Sequence, residues 1–116
     1  MTSNEMFREL PFPYPGGVFP KQLGAVVQKT VLSGEEPARL VIHTQDNSWL
    51  VGDGINDPNE PGACVATHIW HVIEKDRSVA ELASLGCGFQ VTRDGPGEPW
   101  YAEPSSFEGD EEDEED

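Results

Sequence analysis

The chain has 116 residues, of which 36% are apolar, and a net charge of −15. That length makes one domain, and that charge excludes a direct nucleic-acid or anionic-membrane surface, because either would repel it. No stretch approaches the roughly 18 apolar residues that cross a bilayer, and MTSNEMFREL lacks the basic start and apolar run of a secretory leader.

The two cysteines, Cys64 and Cys87, are too few for a disulfide framework. The expectation is a cytoplasmic protein with both thiols reduced. Charge is unevenly spread. The last nine residues, EGDEEDEED, hold eight acids, and without them 14 acids face 7 bases. The domain is acidic by itself, and the tail roughly doubles its charge. Three regions are expected: a proline and aromatic arm over 1–20, a single domain over 21–104, and a disordered acidic tail over 105–116.

In the arm, LPFPYPGGVFP places prolines at 11, 13, 15 and 20, which forbid a helix and spoil a central strand. Phe12, Tyr14 and Phe19 alternate with them, so the arm is expected to run extended with its rings on the domain. Residues 23–32, LGAVVQKTVL, read as a strand, and SGEEP at 33–37 as a turn. RLVIHT at 39–44 is a second strand, Gln45-Asp46-Asn47 a hairpin connection, and SWLV at 48–51 a third strand. Links this short predict an antiparallel meander.

GDGINDPNEPG at 52–62 is a breaker-rich loop, followed by a short strand over 63–66. Thr67 is expected to cap a helix over 68–74, with Ile69, Val72 and Ile73 facing the core. Asp76 or Ser78 starts a second short helix, VAELASL, which puts Val79, Leu82 and Leu85 on one side and stops at Gly86. CGFQVTR at 87–93 returns as a strand, Asp94-Gly95-Pro96-Gly97 turns, and 98–103 is the last, edge strand. The sum is an α+β fold: an antiparallel sheet of about five strands with two short helices on one face.

No stretch carries a catalytic signature. Asp53, Asn56, Asp57 and Asn59 are oxygen ligands in one loop, but the spacing and closing glutamate of an EF-hand are missing, and Asx residues serve turns equally well. His68 and His71 lie three apart, with Cys64 one turn earlier. That is a fragment of a zinc pattern with no second cluster at metal spacing. Either cysteine could pair with a histidine as a nucleophile, but neither sits in a local signature. Trp49, Trp70 and Trp100 read as packing residues. No cofactor and no metal are expected.

Several stretches carry a resemblance. ELPFPYP, LGAVV, the SGEEP turn and the strand after it, the Trp49 strand with Gly52, HVIEKDRSVAEL and RDGPGEPW occur here in order across residues 9–103. Together they resemble a family of small uncharacterised acidic bacterial proteins, which implies no activity. More distantly, the plan is similar to immunity-protein-like domains of polymorphic toxin systems. From those it departs in its proline arm and in a turn with fewer acids. That resemblance implies a non-enzymatic module that neutralises a partner.

The expected function is therefore protein binding, immunity-like and directed at a basic partner, with Asp53, Asp57 and Glu60 of the acidic loop making the contact. The rival is a small metal-binding or thiol enzyme built on Cys64, His68 and His71, with Cys87 or His43 added. Convergence of three of these groups in one cleft would favour the rival.

Overall fold

Parity decides which side of this sheet is buried, because alternate strand residues face opposite ways. Ala25, Val27, Val41, Trp49, Val51 and Val91 carry odd numbers, and all six belong to one buried apolar cluster. A computed structural model describes residues 10–105. Its strands are β1 (Gly24–Gln28), β2 (Leu40–His43), β3 (Trp49–Gly52), β4 (Cys64–His68), β5 (Phe89–Thr92) and β6 (Tyr101–Pro104). Two α-helices, α1 (Lys29–Ser33) and α2 (Trp70–Lys75), precede a 3₁₀ helix over Arg77–Ser84.

The fold is α+β, with six strands in the order β4-β1-β3-β2-β5-β6. The sheet is mixed rather than antiparallel throughout: β1 and β3 run parallel, and every other pair is antiparallel. The meander fails because β3 inserts between β1 and β2. Each link is too short for a parallel crossover, but β1 reaches β3 only after α1 and the whole of β2, which is length enough.

Two other boundaries shift. The strand read over 23–32 stops at Gln28, and the next five residues turn into α1, which buries Val31 and closes at Gly34 with a φ of 89°. Only glycine holds that left-handed closure without strain. The helix expected from His68 begins at Trp70 instead. His68 still pairs with Gly24 in the β1–β4 ladder, and Ile69 sits at the cap position with no side-chain bond. Asp76 does cap the next helix, accepting from the Ser78 N–H. That helix is 3₁₀, as a three-residue spacing of Val79 and Leu82 suits.

Val31, Val72, Ile73, Val79, Leu82 and Ala83 send the helices' apolar side chains onto the odd-numbered face. The arm closes one end of this core. Tyr14 and Phe19 are buried, and Phe12 packs partly against them. Their rings surround Trp49, with Phe19 edge-on at 4.9 Å and His43 stacked beneath at 3.9 Å. The first nine residues of the arm and the tail from 106 onward lie outside the described residues.

The Trp49 indole N–H donates to the Tyr14 hydroxyl at 2.7 Å in a buried position. Tyr14→Phe removes that acceptor and leaves a desolvated donor, which costs about 1–3 kcal/mol. Urea denaturation of the variant is expected to show a midpoint lowered accordingly, with an unchanged slope. An unchanged midpoint would mean that the bond adds nothing to the arm's hold.

Candidate functional site

The loop after β3 is built around Asp53, which is fully buried. Its Oδ1 accepts from the backbone N–H groups of Ile55 (2.9 Å) and Asn56 (2.8 Å). Its Oδ2 accepts from Thr30 Oγ1 (2.5 Å) and Asn56 Nδ2 (2.7 Å). Gln28 Oε1 accepts from the Asp53 N–H at 2.8 Å, while Gln28 Nε2 donates to the Asn56 carbonyl at 3.1 Å. Gly52 makes room for that amide, since a Cβ there would stand 3.2 Å from Gln28 Oε1. Arg39 Nη1 donates to the Asp53 carbonyl at 2.9 Å.

Asp53 therefore holds β1, α1 and the loop together and offers no carboxylate to a partner. This corrects the expectation for that residue. A buried carboxylate must be paired, and its own loop and Thr30 supply the donors. Asp57 and Glu60 do lie exposed further along the loop.

The Cys/His groups on which the rival reading would be built do not converge. Cys64 and His68 mark opposite ends of β4. The Cys64 thiol donates to the Pro58 carbonyl at 3.4 Å, and burial, with the charge of Asp53, pushes it above its ordinary value. The His68 and His71 rings stand 5.7 Å apart, and His71 faces Glu74 at 3.8 Å. Among the described residues no three His, Cys, Asp or Glu side chains are grouped as metal ligands. What does come together is Cys87 and His43, with the thiol sulfur 3.5 Å from Nε2. That nitrogen already lies 2.7 Å from Asn47 Oδ1, and Nδ1 lies 2.6 Å from the Leu85 carbonyl.

The even-numbered face of the sheet is apolar at its centre. Ala66, Val26, Leu50, Ile42, Gln90 and Glu103 form one row across all six strands. Val26, Leu40 and Leu50 are half-buried and Ile42 is buried, though none of the row belongs to the core cluster. This apolar character of the second face was not read from the sequence. Its signal was the residue between each pair of core positions, Val26, Ile42 and Leu50, which is apolar where a solvated face would be polar. Comparison with protein-family models, with curated proteins and with solved structures gives no match.

Burial alone would raise the Asp53 carboxyl, but the bonds from Thr30, Asn56 and Ile55 outweigh it and bring the value from 3.8 down to about 2. A lowered carboxylate stabilises the fold above its unfolded value, and the gain is lost as pH falls through the folded one. Asp53→Asn is expected to cost about 2 kcal/mol at neutral pH. Between pH 4 and 2 the gap to the wild type should narrow. Urea melts across that range check both, and a gap that ignores pH would remove the carboxylate charge from the account.

Proposed function

We propose that this protein is a non-enzymatic protein-binding module, immunity-like, which neutralises or chaperones a basic partner in the bacterial cytoplasm. The observation that carries this reading is an excess of exposed acids over the exposed bases Lys21, Lys29, Lys75 and Arg77 among the described residues. Asp57, Glu60, Glu74, Glu81, Glu98 and Glu103 are all exposed. Two of the bases that would offset them are spent internally. Arg93 is buried, paired with Asp76 and bonded to the Ala38 carbonyl at 2.8 Å. Arg39 donates to Glu36 and to the carbonyls of Asp53 and Asp94. A field of one sign steers an oppositely charged partner and speeds its capture. The partly exposed side chains of Val26 and Leu50 supply apolar surface that such a partner would desolvate.

Capture from the source cell's lysate at low and high salt tests this, with the full chain and with a version ending at Pro104. One basic protein held at low salt and released at high salt is the expected result. Replacing both Asp57 and Glu60 with lysine should slow its association about tenfold at low salt. The absence of any salt-sensitive partner would overturn the reading.

The Cys87–His43 contact favours a second reading, a thiol enzyme. Against it, burial and the nearby Asp46 charge push the Cys87 thiol above 9.0, with only its own backbone lowering it. Such a thiol is a poor nucleophile at neutral pH. Iodoacetamide should alkylate Cys87 more slowly than free cysteine at pH 7. Faster reaction would bring the enzyme reading back.

A further inference from the structure

The two edges of the sheet are unlike, and the difference lies in their backbone donors. At one end of the β1–β4 ladder the Ile69 N–H donates to the Leu23 carbonyl at 3.0 Å. At the other the Lys29 N–H donates to the Ala63 carbonyl at 2.8 Å. In an antiparallel pair, bonded and non-bonded positions alternate. The odd-numbered residues of β4 therefore bond to β1, and the N–H groups of Cys64, Ala66 and His68 point outward. None of these three is a proline, and none carries a fixed charge.

At the far edge the Ser105 N–H donates to the Gly88 carbonyl at 2.8 Å, so Ala102 and Pro104 are the outward residues of β6. Proline has no N–H, and Pro99 precedes the strand. Natural sheets blunt edges in this way against unwanted pairing. Only the β6 edge has been blunted.

The flanks of β4 suit an added strand. A cleft of about 430 Å³ lies on its core-face side, lined by Leu32, Thr67, His71, Glu74 and Lys75. On the other side, Ala66 continues into Val26 and Leu50. Side chains of an added strand alternate between the two, so one set enters the cleft and the other extends the apolar row.

We propose that the β4 edge is a strand-addition site that takes an extended, basic segment of a partner protein. The inference rests on the protein-binding reading and names where and how the partner is held. Charge selects the occupant. A second copy would bring another −15, whereas a segment carrying lysine or arginine is drawn by that net charge and meets Asp57 and Glu60, beside Lys29, before β4 and Glu74, beside Lys75, in the cleft.

The test uses the full chain and a short peptide of alternating lysine and valine, long enough to span β4. Amide hydrogen exchange is read by NMR at low salt. Saturating peptide is expected to slow exchange at Cys64, Ala66 and His68 about tenfold, and Ala66→Pro should weaken binding about tenfold. Ala102→Pro, at the other edge, should leave binding within about twofold. The amide measurement on the unaltered chain decides the matter even where Ala66→Pro disturbs folding.

Binding that leaves those three amides unprotected overturns the edge site while the protein-binding reading stands. Failure of the peptide to bind at low salt also overturns it, and the capture experiment then decides the reading alone. The same amides protected without peptide, with a doubled mass in sedimentation, would make a second copy the occupant and overturn the choice of partner.

Discussion

A carboxylate removed from water needs a donor at each oxygen, and at Asp53 those donors come from the loop it begins and from Thr30 of α1. The Asp53 backbone is held in turn by Gln28 of β1 and by Arg39, just before β2. One residue thus ties together the end of the first strand, the turn into α1, the start of the second strand and the long loop before β4. Two consequences follow. The parallel pairing of β1 with β3 is locked at the point where both strands end. The loop also delivers Cys64 beside Gln28 in register, so the position of the β4 edge depends on a group that never touches solvent.

The same arrangement separates structural acids from free ones. Asp53 and Asp76 are consumed by neighbours, and Asp76 is likewise held low: burial opposes, but Ser78 and Arg93 prevail. Among the described residues Asp57, Glu60, Glu74, Glu81, Glu98 and Glu103 face outward. Arg39 and Arg93 each pair with one acid, Glu36 and Asp76, so the negative field comes from the acids left over. As proposed, a binding surface that combines this field with a half-buried apolar row needs no dedicated pocket. In the proposed reading the long-range field brings a partner close, and short-range burial keeps it.

Much of the fold could be read from residue pattern. The short apolar runs in 39–44 and 48–51 located the central hairpin, Asp76 announced the start of its helix, and Pro99 marked the last strand as an edge. What escaped were matters of topology and of competition between local preferences. KTVLS carries β-branched residues and reads as a continuation of β1, but Gln28 is needed over Gly52, so the strand must stop there. Thr67 and His68 resemble a helix start, yet their place in the β1–β4 ladder keeps them extended. For the site, acid identity was visible but burial was not. Asp53, Asp57 and Glu60 look alike in sequence, and only the three-dimensional supply of donors sets the first apart. The β4 edge left a fainter trace, the absence of proline and fixed charge from ACVATH.

The three tryptophans occupy three different electrostatic settings. Trp49 lies stacked on His43 and donates to Tyr14. Trp70 donates to the Phe19 carbonyl beneath the Lys21 ammonium at 5.5 Å, and Trp100 carries the Arg93 guanidinium at 4.1 Å. The first watches the arm and the hairpin, the second the start of α2 beside β4, and the third the approach to β6. The molecule therefore has built-in optical reporters at its core and at both margins of the sheet. Variants that keep a single indole can follow events at one edge by emission without an attached dye.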